Sequence, residues 1–261
     1  MRCFASNKKQ GNGMSTKKQS IFKPAVWSFG TALALCAVSA VHAAGNQLQP
    51  YAAAGSAPAA PWHVVGLPQQ TKPFTRFSVT EIDGKRALRV EAVESYGNLV
   101  HSLSAEKAAT KLSWRWRVEL LNTAVNLRLK EGDDSALKVC ALWDLPLENV
   151  PFVERQILRA ARSKTAEPLP AATVCYVWDA KLPEGTELDS PFTHRLRYII
   201  VRSGDKPNQW VNEKRDIAAD FLRLFAAEAT TLPPLIGIAV GADADNTHSR
   251  SVGYVADLIL E

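Results

Sequence analysis

The chain has 261 residues, of which 46% are hydrophobic and 22% charged, with 31 Lys and Arg against 26 Asp and Glu. This ordinary globular composition excludes a disordered, collagen-like or heptad-repeat chain. Six of the basic residues precede residue 44, where there is no acidic residue, so residues 44–261 carry 25 basic and 26 acidic residues and a formal charge of −1. The positive field that nucleic-acid binding requires is therefore absent from residues 44–261, and no nucleic-acid partner is expected.

An apolar segment near the N-terminus follows a cluster of lysines. Residues 24–43 read PAVWSFGTALALCAVSAVHA and end with Val41 and Ala43 at the positions that a signal peptidase recognises. We expect residues 1–43 to be a Sec-type signal peptide cleaved after Ala43, which predicts a periplasmic or secreted protein. The alternative is an uncleaved membrane anchor, but the run is short for a span and contains several Ser and Thr residues. After cleavage the protein is not expected to be integral to a membrane.

Export determines how the cysteines are interpreted. Of four cysteines, only Cys140 and Cys175 lie beyond the predicted cleavage position. An even pair in an oxidising compartment favours a disulfide. The alternative is two buried thiols that behave as small apolar residues, and the sequence leaves both open because strand pairing cannot be read from it.

Alternation of hydrophobic and polar residues dominates the rest of the chain. Residues 44–60 are rich in Ala, Gly and Pro and are expected to be a flexible lead-in, and residues 61–261 are expected to form a single domain. In KLSWRWRVEL, Trp114 and Trp116 face the same way as the neighbouring Leu and Val, which is typical of a strand with one buried face. Strands are predicted at residues 62–66, 75–82, 86–93, 97–103, 111–120, 136–144, 172–179, 193–202, 234–242 and 252–260.

Two segments have a helical period instead. Residues 148–163 place Val150, Val153, Ile157 and Ala161 on one stripe. Residues 216–227 place Ile217, Phe221, Leu224 and Phe225 on one stripe, with Asp216 as the expected N-cap. Ten short strands with two short inserted helices predict an all-β fold, a two-sheet antiparallel β-sandwich of the jelly-roll type, similar to carbohydrate-binding modules. The helices are expected to cover a sheet edge or an open end of the sandwich.

From about Trp62 to the end, the chain resembles a bacterial exported family known as domain of unknown function 3047. The likeness rests on Tyr96-Gly97-Asn98-Leu99-Val100, Trp114-Arg115-Trp116-Arg117-Val118, Gly132-Asp133-Asp134, Cys175-Tyr176-Val177-Trp178, Arg215-Asp216-Ile217 with Asp220, and Asp243-Ala244-Asp245-Asn246-Thr247. The resemblance implies no assigned activity and no catalytic residues.

The densest polar loop lies between the last two predicted strands. Asp243, Asp245 and Asn246 offer the alternating oxygen ligands that calcium prefers. Asp133 and Asp134 would add carboxylates if their turn meets this loop. The favoured interpretation is that these side chains form Asx turns that satisfy backbone donors, so no cofactor is expected, with calcium as the alternative.

Aromatic and charged residues suggest a ligand surface. Trp178 lies in a predicted strand, in phase with Tyr176 and Val174, and Trp210 lies in a polar stretch where it is expected to be exposed. If Arg115 and Arg117 share a concave face with Tyr96 and Asn98, this surface is suited to an acidic glycan. The alternative is a solvated face with cross-strand ion pairs, and we treat Tyr96, Asn98, Arg115, Arg117, Trp178 and Trp210 as ligand-binding candidates.

Catalytic motifs are largely missing from the sequence. There is no G-x-S-x-G, H-E-x-x-H, C-x-x-C or Gly-rich phosphate loop. Asp144 and Asp179 each end a predicted strand and are weak candidates for a glycosidase pair. The sequence thus favours an exported, non-catalytic protein that binds a glycan or another cell-envelope ligand. The alternatives are a polysaccharide-acting enzyme and a periplasmic scaffold or assembly partner.

Overall fold

The strands pair into two sheets that pack face to face. The computed structural model describes residues 48–52, 55–104, 109–204 and 207–261, so the predicted signal peptide lies outside the described residues. The described strands are β1 (His63–Val65), β2 (Arg76–Ile82), β3 (Lys85–Val93), β4 (Tyr96–Ser102), β5 (Lys111–Leu120), β6 (Leu137–Trp143), β7 (Ala172–Asp179), β8 (Glu187–Ser190), β9 (Thr193–Ser203), β10 (Val211–Asp216), β11 (Leu235–Asp243) and β12 (Arg250–Leu260).

The strand order is that of a two-sheet sandwich. The larger sheet has seven strands in the order β1-β4-β11-β6-β7-β9-β8, and the smaller sheet has five in the order β10-β5-β12-β3-β2. The described strand pairs are antiparallel except for β7 and β9, which run parallel. Strand β8, which lies between them in the sequence, pairs with β9 and not with β7. The predicted fold class, a β-sandwich of the jelly-roll type with two helices, is confirmed.

The core lies between the two sheets and is rich in aromatic rings. Trp114 and Trp116 of β5 face Tyr176 and Trp178 of β7, with ring centroids 5.4 and 5.5 Å apart. All four side chains are buried, as the alternation in β5 predicts for Trp114 and Trp116. Aromatic pairs at this spacing add packing energy beyond their buried area, which helps to fix how the two sheets are aligned.

Two strands, β8 and β10, are not among those predicted from the sequence. Both are edge strands, each paired with only one neighbour. Their sequences, ELDS and VNEKRD, carry few apolar residues. Charged side chains on an edge discourage pairing with other chains, and they also remove the alternating pattern by which a strand is recognised.

The two helices have different surroundings. Helix α1 (Phe152–Arg162) follows a 3₁₀ turn at Leu147–Asn149 and contacts β9. Helix α2 (Ile217–Leu224) begins at the predicted N-cap Asp216, whose side chain accepts a hydrogen bond from the backbone N–H of Ala219. It packs against β5, β7 and β10, within the main core. Over the described ranges, neither helix has the length and apolar character needed to cross a bilayer.

Candidate functional site

A groove of about 290 Å³ lies on the outer face of the seven-stranded sheet. The side chains of β6 show which face this is, because Val139 and Ala141 belong to the main core whereas Cys140 belongs to a separate apolar cluster. The disulfide between Cys140 and Cys175, which face each other in register on β6 and β7, forms part of the groove floor. The groove lining is mostly apolar and includes Val65, Leu67, Val100, Leu142, Ile157, Leu158, Leu169, Leu196 and Ala239.

Helix α1 supplies one wall of this groove. Ile157, Leu158 and Ala161 line it, and Leu158 is the one buried residue of the helix. Only one residue of the predicted apolar stripe, Val150, is buried in the main core, whereas Val153 is 68% and Ile157 55% exposed. The helical period of residues 148–163 indicates this wall, but the sequence does not indicate that its stripe faces a groove.

Polar side chains also line the groove: Glu154 of α1 and Thr193 and Arg195 of β9 are among them, and a second polar group lies at one end. Lys138, Tyr96 and Asn98 line it, and the amide of Asn98 donates a hydrogen bond to the Tyr96 hydroxyl over 3.2 Å. The Lys138 ammonium lies 2.7 Å from a carboxylate oxygen of Asp243 and 5.3 Å from the centre of the Tyr96 ring. Gly241 is needed beside them, because a Cβ at this position would collide with the side-chain oxygen of Asn98.

The ion pair between Lys138 and Asp243 is almost fully buried. Desolvation lowers the pKa of Lys138, but the attraction of Asp243 outweighs it and holds the pKa above its ordinary value. The second oxygen of Asp243 accepts hydrogen bonds from the backbone N–H and the hydroxyl of Ser135, at 2.6 and 2.5 Å. An ammonium has three N–H donors, and the hydrogen bond to Asp243 uses one of them.

Asp133 lies next to this pair. Its carboxylate accepts hydrogen bonds from the hydroxyls of Ser190, at 2.8 Å, and Tyr198, at 3.0 Å. Burial raises the pKa of Asp133 to about 6, against the effect of the Ser190 hydrogen bond, and the charge of Asp243 raises it further. A perturbed carboxyl beside a groove is typical of functional sites, although structural networks produce such shifts too.

Because Asp133 binds a proton more readily in the folded than in the unfolded chain, its ionisation destabilises the fold. The contribution of Asp133 to the free energy of unfolding is therefore expected to fall as the pH rises from about 4 to about 7. In Asp133→Asn this side chain is neutral at every pH. The free energy of unfolding of the native chain minus that of the variant should therefore decline by up to about 3 kcal/mol over that range. Urea unfolding of both proteins across the range measures the difference. A difference that does not vary with pH would contradict the assignment.

The polar loop does meet the turn that contains Asp133 and Asp134, a contact that the sequence leaves open. Asp134 accepts hydrogen bonds from the backbone N–H groups of Asn246, at 3.2 Å, and Thr247, at 2.8 Å. Asp245 pairs with the Lys72 ammonium at 2.8 Å. Protein donors thus engage Asp134, Asp243 and one oxygen of Asp245, whereas Asp245 Oδ1 is buried without a hydrogen-bond partner. Among the described residues no three His, Cys, Asp or Glu side chains are arranged to hold a metal ion.

Asp144 and Asp179, the carboxylates suggested for catalysis, lie too far apart to act together. Strands β6 and β7 are antiparallel, with Trp143 opposite Ala172 and Leu137 opposite Trp178. Asp144 and Asp179 therefore lie at opposite ends of the sheet, about 25 Å apart by the rise of a strand. Glycosidases need about 5–9.5 Å between their carboxyl groups. Asp179 is instead buried and caps a turn by accepting hydrogen bonds from the backbone N–H groups of residues 181 and 182.

The predicted ligand surface is divided between two sheets. Tyr96 and Asn98 lie on the outer face of the larger sheet, whereas Arg115 and Arg117 lie on β5 in the smaller sheet. The proposal that these four share one face is wrong, because alternation gives the face of a strand but not the sheet it joins.

The two tryptophans of that proposal also differ from expectation. Trp178 is 1% exposed and packs in the core against Trp116, so it is not available to a ligand. Trp210 is half-buried. The Arg115 and Arg117 guanidinium groups lie 5.0 and 5.9 Å from its ring, and its indole N–H donates to Asp83. On this face it serves mainly as a platform for arginines.

Comparisons with known proteins identify a family. Residues 60–259 match the family model described as "Protein of unknown function (DUF3047)". No curated protein matches the sequence significantly.

Several solved structures are similar to this chain in fold. TmCBM61 in complex with beta-1,4-galactotriose is 10% identical, with a TM-score of 0.33, 77% of this chain and 88% of that chain being covered. The xyloglucanase domain of NopAA, a type three effector from Sinorhizobium fredii, in complex with cellobiose is 10% identical, with a TM-score of 0.37 and coverages of 77% and 98%. Endoglucanase 3 of Trichoderma harzianum, from family GH12, is 8% identical, with a TM-score of 0.34 and coverages of 78% and 99%. These values support no transfer of activity.

Proposed function

This chain belongs to the DUF3047 family, and we propose that it is a non-catalytic binding protein that holds an amphipathic cell-envelope ligand in the groove beside α1. The observation that carries the proposal is the placement of the apolar stripe of α1. Ile157, Leu158 and Ala161 line the groove, and Ile157 is still 55% exposed. Leu158 is buried in the main core, but an apolar side chain such as Ile157 that lines a groove and stays exposed is explained if a ligand covers it.

The groove suits a ligand that is apolar along most of its length. Between Lys138 and Leu142 it follows β6 for about 14 Å, given the rise of a strand. Its floor and walls along that length are formed by residues such as Cys140, Val100 and Leu158. Each methylene of a ligand that leaves water there contributes about 0.8 kcal/mol. At the polar end, Lys138, Tyr96 and Asn98 line the groove and offer polar contacts to the head group of a ligand.

A glycan is the other ligand class that the sequence favours. Sugars stack on exposed aromatic rings, but five of the six tryptophans beyond residue 61 are at most 5% exposed. Trp210 is engaged with two arginines on the smaller sheet. The burial of these rings and the apolar lining of the groove support a ligand with a hydrocarbon part. The proposed place of action, the cell envelope, rests on the signal peptide predicted in residues 1–43.

The proposal is tested by replacing a small residue of α1 with one large enough to fill the groove. Ala161→Phe places a ring into the groove, and Ala160→Phe, at the adjacent exposed position of α1, is the matched control. With 11-(dansylamino)undecanoic acid as a fluorescent probe, we expect Ala161→Phe to bind at least ten-fold more weakly than the native chain and the control to stay within two-fold of it. Equal effects of the two substitutions, or binding of glycans on an array without uptake of the probe, would contradict the proposal.

A further inference from the structure

Large exposed apolar side chains lie in the groove lining or within two residues of it in the sequence. Phe152 is 70% and Phe192 56% exposed, and Val153, Ile157 and Leu67 are also exposed. We call these five residues the groove rim. Leu67 and Ile157 line the groove itself. Phe192 directly precedes Thr193, which also lines the groove and whose hydroxyl donates a hydrogen bond to Glu154 of α1 over 2.8 Å. The rim therefore brings together three separate chain segments around one opening.

The segment that contains α1 has a net positive charge, although Arg162 pairs with Asp144 over 3.6 Å and Asp189 lies three residues before Phe192. Residues 148–164 carry four basic and two acidic side chains, although residues 44–261 as a whole have a formal charge of −1. Glu154, one of the two acids, is engaged by Thr193 and lies 3.7 Å from Arg195. Arg159 is exposed on α1, and the Lys130 ammonium lies 5.5 Å from the centre of the Phe192 ring. Exposed apolar side chains next to basic ones are typical of elements that lie on an anionic lipid surface.

We propose that the groove rim docks on the surface of an anionic lipid bilayer, with Phe152, Val153 and Phe192 inserted at the level of the head groups and the neighbouring basic side chains facing the lipid phosphates. This inference rests on the proposed function in one respect. Docking would bring the mouth of the groove close to lipids, which are a source of amphipathic ligand. A bilayer fits the rim better than a protein partner does. A lipid surface offers negative charge to the basic side chains and an apolar layer to the exposed apolar ones, and it needs no shape that matches the rim.

The test uses vesicle co-sedimentation with the purified protein. One set of vesicles contains equal parts of phosphatidylglycerol and phosphatidylcholine, and the other contains phosphatidylcholine alone. The rim variant is Phe152→Ser, Val153→Ser, Phe192→Ser, which leaves Leu67 and Ile157 of the groove unchanged. The matched control is Val93→Ser, Leu120→Ser, Ile259→Ser, which removes three exposed apolar side chains of the smaller sheet.

We expect the native chain and the control to bind the anionic vesicles, the rim variant to bind them at least ten-fold more weakly, and all three to bind the neutral vesicles weakly. Equal binding by the rim variant and the control, equal binding to both vesicle types, or binding only to another protein would overturn the inference.

Probe uptake separates the two proposals. If the rim variant takes up the dansyl probe normally but does not bind vesicles, both stand. If no chain takes up the probe but vesicle binding depends on the rim, docking stands and the proposed function fails.

Discussion

Replacing Lys138 by methionine is expected to lower the free energy of unfolding by about 3–5 kcal/mol. The substitution removes the ammonium that lies 2.7 Å from Asp243, in a position where both side chains are at most 5% exposed. Asp243 then has no cationic partner while it stays buried. Because burial raises its pKa, the carboxyl either keeps its charge at a desolvation cost or takes up a proton, and both lower the stability of the fold. Urea unfolding followed by tryptophan fluorescence measures the change.

The double variant Lys138→Met, Asp243→Asn is the control for this prediction. The amide that replaces the Asp243 carboxylate would keep an oxygen that accepts the hydrogen bonds of Ser135 and would carry no charge. Because the cost in the single variant comes from an unpaired charge, the double variant should recover at least half of the lost stability. Equal losses in the single and the double variant would show that the pair contributes through its shape and not through its charges.

Removing the bond between Cys140 and Cys175 is expected to cost about 4 kcal/mol. In the chain-entropy model, a cross-link between residues 35 apart restricts the unfolded chain by roughly this amount. The variant Cys140→Ala, Cys175→Ala should therefore unfold at a clearly lower urea concentration, close to that of the native chain in reductant.

Labelling provides the control for the disulfide. Both sulfur atoms belong to buried residues, so alkylation has to be carried out on denatured protein, with and without prior reduction. The bond predicts labelling of Cys140 and Cys175 only after reduction. Two labelled thiols without reductant would mean that the pair contributes only packing to the groove floor.

Alternation in the sequence predicts most of the fold because one face of each strand is buried. In β5 and β7, residues such as Trp114 and Tyr176 point inward at every second position, and this pattern is visible without the structure. The edge strands β8 and β10 have no such pattern, since one of their sides has no neighbour. The N-cap of α2 is predicted by Asp216 alone, because the interaction that forms it is local.

The site is less predictable because it depends on which strands are neighbours. Tyr96 and Arg115 have the same outward phase, yet their strands join different sheets. Alternation predicts a solvated face for Lys138, but the loop between β5 and β6 and the last polar loop bury it beside Asp133 and Asp243. The contact between Lys138 and Asp243 joins residues 105 positions apart, and no local pattern encodes it.

The groove assignment is tested most directly by paramagnetic relaxation in methyl-labelled protein. Stearic acid that carries a nitroxide along its chain should broaden the methyl signals of Val100, Leu142 and Leu158, which line the groove. The methyl signals of Val93 and Leu120 on the smaller sheet should remain sharp. Broadening centred on the smaller sheet, or no broadening at concentrations that saturate the dansyl probe, would contradict the proposal that the groove holds the ligand.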